Sequence, residues 1–153
     1  MAARLRDVTA NATVRTNRKN GPDMPNYQFV IANDSPSAGR KAEIAKAITV
    51  AHRTITGAPT GYVFVSFVEV PPSSLFVSGE PSHHGRMVGV IRRGRSDDLK
   101  KRLVLALGEA WSTAANEPLE SLAIFIHEIP GFQAMENGVL IPEAWEDAGA
   151  ILA

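Results

Sequence analysis

The sequence predicts an α/β fold of the mixed, α+β kind, in which a duplicated β-α-β unit forms one four-stranded sheet with two helices on one face. Three observations lead there. Short apolar runs rich in β-branched residues alternate with segments whose apolar residues recur every three or four positions. Serines stand where two of those segments begin, as N-caps do. Finally, a shift of 59 positions carries Ser37 to Ser96, Lys41 to Lys100, Ile44 to Leu103, Ala47 to Ala106 and Ile48 to Leu107, and brings Glu69-Val70-Pro71 onto Glu128-Ile129-Pro130.

Each element has its own signal. Tyr27 to Ile31 is an aromatic and β-branched run closed by Asn33-Asp34, a strand ending in a turn. Ser35 before Pro36 reads as an N-cap with proline at the first helical position, where a missing N–H costs nothing. Ile44, Ile48, Ala51 and Ile55 then share one stripe of a helix that Gly57 and Pro59 end. Tyr62 to Val70, apolar at nearly every position, suits a strand covered on both faces. Residues 71–86 hold prolines, serines and glycines around Leu75-Phe76-Val77 and predict a loop with a minor hairpin. Met87 to Arg92 is the third strand. Ser96, followed by Asp97 and Asp98, caps a helix running to about Ala115, and Leu122 to Ile129 is the last strand. Right-handed crossovers put both helices on one sheet face and leave the other apolar face uncovered, so association is expected.

Composition narrows the function. The chain has 153 residues, 44% of them apolar, with sixteen basic and sixteen acidic side chains and no cysteine. That suits one globular domain, and the balanced charge argues against nucleic acid or an anionic membrane as partner. Without cysteine there are no disulfides, no thiol catalysis and no thiolate metal sites. No apolar run approaches the ~20 residues of a membrane span, and no compact secretory signal opens the chain. A soluble, cytoplasmic protein is expected. Residues 1–24 differ from the rest: five basic residues against two acidic, no sustained periodicity, and a closing Asn20-Gly21-Pro22-Asp23 cluster. They read as a flexible basic extension ahead of a domain at residues 25–153. Scarce acidic residues are compatible with a transit peptide and a mitochondrial address; an upstream extension before an internal start at Met24 reads at least as well.

The strongest chemical signal is Arg92-Arg93-Gly94-Arg95, at the carboxyl end of a strand and just before a capped helix. Guanidinium forks bind carboxylate or phosphate through paired hydrogen bonds, and a helix N-terminus adds backbone donors. A solvated basic turn paired with Asp97 or Asp98 is the competing reading. His52 borders the apolar stripe of the first helix, a rim position that suits a polar contact to substrate or an ordinary bond to backbone. Adjacent His83 and His84 lack a spaced third ligand and read as a surface loop, and no cofactor motif is present. Glu136, before the Asn137-Gly138 turn, could act on water or lie on the surface; Phe125 and Trp111 read as core.

Taken together, Pro25-Asn26-Tyr27, the run from Ala45 to Arg53 (AKAITVAHR), the run from Arg92 to Lys100 (RRGRSDDLK), His127 to Pro130 (HEIP) and Met135 to Gly138 (MENG) resemble the tautomerase superfamily, within it the cis-3-chloroacrylic acid dehalogenase-like group. The resemblance implies a tautomerase-like fold assembled as a homotrimer, a small carboxylate as substrate and no cofactor. It also implies a catalytic amino-terminal proline, which by position is Pro25, with His52 as the substrate-contacting histidine, Arg92 and Arg95 as the carboxylate-binding pair and Glu136 as the water-associated carboxylate. Phe125 stands where the dehalogenases carry a tyrosine, which favours tautomerisation of a small unsaturated or 2-keto acid over hydration or dehalogenation. A free prolyl nitrogen is a secondary amine, starting near ~8 before its neighbours act. Nearby arginines lower it towards the pH at which a general base works best. Inside a chain the same nitrogen is a tertiary amide with no basicity. If residues 1–24 stay attached, the alternative is a non-catalytic trimer that binds a carboxylate.

Overall fold

The computed structural model describes residues 25–58 and 63–146; the extension at residues 1–24 and Tyr62 lie outside the described residues. Strand β1 (Asn26–Ala32) leads through a 3-10 turn to helix α1 (Lys41–Thr56) and strand β2 (Phe64–Val70). A hairpin follows, β3 (Phe76–Val77) with β4 (Glu80–Pro81), and then the same order returns: β5 (Gly85–Arg92), α2 (Asp97–Ala115), β6 (Leu122–Ile129) and a second hairpin, β7 (Met135–Glu136) with β8 (Val139–Leu140). The sheet order is β2-β1-β5-β6, parallel within each unit and antiparallel where β1 meets β5.

The duplication is visible in detail. The 3-10 turn (Gly131–Gln133) and hairpin after β6 repeat the turn (Pro72–Ser74) and hairpin after β2 at 59 positions, and the Lys41–Glu69 ion pair at 2.8 Å recurs as Lys100–Glu128 at 2.7 Å. One part of the expected alignment shifts. Burial and pairing match Tyr27 to Met87 and Ile31 to Ile91, so the first strand of each unit corresponds at 60 positions rather than 59. The link from strand to helix is shorter in the second unit, residues 93–96 against residues 33–40.

The first helix begins later than expected. Ser35 does not cap it: Pro36–Gly39 forms a 3-10 turn, α1 begins at Lys41, and the Ser35 hydroxyl donates backwards to the Ala32 carbonyl at 2.7 Å. Ser96 does cap α2, accepting the Leu99 N–H at 3.2 Å, with Asp97 and Asp98 in the first turn. Gly57 ends α1 in the left-handed region at φ 72°, where a residue without Cβ carries no penalty.

The core lies between the helices and one sheet face. Tyr27, Phe29, Ile31, Met87 and Ile91 point from the two central strands to Ile44, Ile48, Leu103, Leu107 and Trp111, and Phe29 stacks on Phe67 at 5.0 Å. Trp111 is core, as expected. Alternate residues face the other way, so Phe64, Val68, Val88 and Phe125 are exposed. Two expectations fail for this reason within the single chain. β2 is an edge strand with an open face rather than a strand covered on both sides, and Phe125, 47% exposed, is not core. The open apolar face is the one that crossover handedness left uncovered. Among the described residues no helix is long and apolar enough to cross a membrane.

Candidate active site

One end of the sheet gathers the chemistry. Because β1 and β5 run antiparallel with Asn26 opposite Val90, the start of β1 lies alongside the finish of β5. Pro25 stands immediately before β1, is buried, and accepts the Phe64 N–H on its carbonyl at 2.9 Å. Arg92 is the last residue of β5. α1 returns across the sheet so that its final turn reaches the same end: the Tyr27 hydroxyl and His52 Nδ1 are 2.7 Å apart, with the rings edge-on at 5.8 Å. The structure thus brings Pro25, His52 and Arg92 to one region from three separate elements.

His52 departs from the rim position that its place beside the stripe suggested. It is fully buried, because the buried face of α1 is a strict every-fourth-residue row of Ile44, Ile48, His52 and Thr56, with Ala51 and Ile55 at its margin. A polar ring survives there because Tyr27 supplies a hydrogen-bonding partner. Room for Tyr27 comes from Gly89 opposite it in the ladder, where a Cβ would fall 2.7 Å from the tyrosine ring and 2.6 Å from Ile126.

The arginine turn is held from beneath. Arg92 is fully buried and its Nη1 donates to the Pro142 carbonyl at 2.8 Å. Arg95, in the link to α2, donates from Nη1 to the Arg92 carbonyl at 3.2 Å. The aspartates of the competing reading are engaged elsewhere: Asp97 pairs with Lys100 at 2.8 Å and Asp98 with Arg102 at 3.1 Å. The hydrogen bond and charge of Lys100 hold the Asp97 carboxyl below its ordinary value, and Asp97 and Glu128 raise Lys100 in turn. Arg93 forms an ion pair with Glu143 at 2.8 Å. Sequence reasoning missed that partner, 50 residues away, since no spacing rule links a strand end to a loop after the final hairpin.

Glu136 lies in β7, and its Oε2 is buried with no hydrogen-bond partner among the described residues. β6 ends beside Arg92, with Ile129 opposite it, so the β7–β8 hairpin leaves the sheet at the same end. Phe125 is not brought there. It sits opposite Val88 on the open face, four residues and about 13 Å back along β6, with the Arg86 guanidinium 5.8 Å from its ring. His83 and His84 lie in the loop before β5, where His83 Nε2 is 3.2 Å from Asp34 on an exposed surface. No group of metal-ligating side chains occurs among the described residues.

A family model described as "Putative oxalocrotonate tautomerase enzyme" matches residues 24–152. The chain belongs to this tautomerase family. Among solved structures, the chain is similar to N1, a member of the cis-3-chloroacrylic acid dehalogenase family, with 28% identity, a TM-score of 0.73, and coverage of 77% of this chain and 84% of that one. It is also similar to a native fused 4-OT, with 26% identity, a TM-score of 0.67, and coverage of 75% and 94%. A probable enzyme from the thermophilic fungus Aspergillus fumigatus, 20% identical over 82% of this chain and 89% of its own, shares the fold at a TM-score of 0.66. No curated protein matches the chain significantly.

Proposed function

We propose that this tautomerase moves a proton on a small unsaturated or 2-keto carboxylate, using Pro25 as an amino-terminal acid and base. The observation that carries the reading is the antiparallel register of β1 and β5, which sets Pro25 beside the strand end that bears Arg92. Guanidinium charge there disfavours protonation of a free prolyl amine and lowers its pKa towards neutrality, while Arg92 and Arg95 receive the substrate carboxylate and stabilise charge developing on the enolate. His52, oriented by Tyr27, contacts the substrate, and Glu136, whose buried oxygen has no hydrogen-bond partner among the described residues, is suited to a water or a substrate hydroxyl. Tautomerisation needs only the amine and the arginines. Hydration and dehalogenation would need a further hydroxyl to handle water, and Phe125 carries none.

The active form begins at Pro25, by initiation at Met24 with methionine removal or by proteolysis, because an amide nitrogen has no basicity. The family match starts at Met24, which supports that boundary. The active assembly is a homotrimer. Its support is the exposed apolar face around Phe64, Val68, Val88 and Phe125, together with similar structures whose own descriptions name fused 4-OT trimers. In such an assembly Phe125 would contribute to a neighbouring subunit's site rather than its own.

Intact-mass and amino-terminal analysis of natively expressed protein tests the reading. A mature terminus at Pro25, with most phenylpyruvate tautomerisation lost in Pro25→Ala, supports it. A terminus at Met1, or undiminished turnover in Pro25→Ala, overturns it, and a terminus at Met1 leaves a trimeric carboxylate-binding protein as the better account.

A further inference from the structure

The proposed chemistry makes no use of Arg93, although two of its N–H groups share one carboxylate oxygen and two aromatic rings lie beside it. Its Nε and Nη2 donate to Glu143 Oε1 at 3.1 and 2.8 Å. Its guanidinium carbon lies 5.5 Å from the ring centre of Trp145 and 5.9 Å from that of Phe132. The next residue completes the contact: Gly94 has φ 109°, and a Cβ there would meet the Trp145 ring at 2.5 Å, so only glycine lets the indole lie on the turn. Gly131 serves the opposite edge in the same way, its α-carbon packed against the backbone of Ile141 and Pro142. The short segment from Ile141 to Glu146 thus packs on the arginine turn at Gly94 and on the turn after β6 at Gly131. Near its start the Pro142 carbonyl accepts a hydrogen bond from Arg92 at 2.8 Å.

We propose that Arg93 and Glu143 are positioning residues that fasten this segment, so that the Pro142 carbonyl holds the buried Arg92 guanidinium in the orientation that receives the substrate carboxylate. The inference rests on the reading of Arg92 as a carboxylate-binding group. It follows from the geometry of a guanidinium, whose planar fork is useful only when aimed. A carbonyl fixed on one N–H sets the plane for the others, and a carbonyl is fixed only if its own segment is.

Kinetics of natively expressed Arg93→Met and Glu143→Gln variants, with hydrogen exchange of the peptide covering residues 141–146, test this. Arg93 is 46% exposed and Glu143, 12% exposed, keeps its size and shape in glutamine, so both variants are expected to fold and assemble. Faster exchange in both, with KM for phenylpyruvate raised about tenfold and kcat within about twofold, is the expected result. Glu143→Gln is the decisive member. Removing a negative charge near an anion site would by electrostatics alone lower KM, whereas loosening the segment raises it. A lowered or unchanged KM in Glu143→Gln, or unchanged exchange in Arg93→Met, overturns the proposal. Arg92→Lys separates this from the underlying reading: if that variant leaves KM unchanged, the carboxylate assignment itself fails. If wild-type protein shows no turnover, the phenylpyruvate dissociation constant replaces KM in the same comparison.

Discussion

Tyr27→Phe isolates a single hydroxyl in the site. The edge-on packing against His52 at 5.8 Å and the burial of both rings survive the change, whereas the 2.7 Å hydrogen bond to His52 is removed. Losing one partner of a buried polar pair costs about 1–3 kcal/mol, more than the net worth of an ordinary hydrogen bond, because the desolvated partner keeps its penalty. For a protein of this size each kcal/mol lowers Tm by about 2–4 °C. Thermal unfolding at one fixed protein concentration, needed because assembly contributes to stability, should therefore show a fall of several degrees. On the functional side, a histidine no longer held by its phenol should lower kcat/KM for phenylpyruvate about tenfold, equivalent to about 1.4 kcal/mol. A Tm and a kcat/KM both within error of wild type would refute the claim that this hydroxyl orients His52.

Gly89→Ala should destabilise by about 1–3 kcal/mol in denaturant unfolding, since the new methyl would stand 2.6–2.7 Å from Ile126 and Tyr27 in a packed sheet. Ser96→Ala removes the cap bond to Leu99 and should cost about 1 kcal/mol by the same measurement. Burial alone would push the Glu143 carboxyl up, but the Arg93 hydrogen bond, the Gly131 amide and the charges of Arg93 and Arg92 outweigh it and hold the carboxyl below its ordinary value of 4.5. A depressed native pKa stabilises fully above the unfolded value and is lost as pH falls through the native one, so Glu143→Gln should flatten the acid limb of a stability–pH profile below about 4.5 and leave its slope at neutral pH unaltered. Phe125→Tyr should raise hydratase activity on an acetylenic or haloacrylic acid, measured by product formation, and the absence of any gain would mean that the missing hydroxyl does not limit that chemistry.

The elements were legible wherever their cause is local. α2 and β6 have the boundaries that a capping serine, acidic first turn and apolar run announce within a few residues of chain. The duplication was legible because two copies of one pattern share their spacing. Ser35 misled for an equally local reason: its hydroxyl turned back to Ala32, and serine beside proline serves a 3-10 turn as well as a helix. His52 was identified as a candidate, but its burial depended on the pitch of a row in which Tyr27 supplies the partner from another element.

Residue order therefore sufficed for the alternation of strand and helix, the repeated unit, the arginine-bearing turn and an apolar sheet face in want of cover. Tertiary structure alone decided that β1 and β5 run antiparallel, and with it that Pro25 meets the arginine end, that Phe125 stands apart on the open face, and that Arg93 finds Glu143. The division has a physical origin. Caps, periodicity and turns act between residues a few positions apart, whereas strand pairing is chosen by the burial of side chains distant in the chain, a sum over the whole core that no short stretch contains.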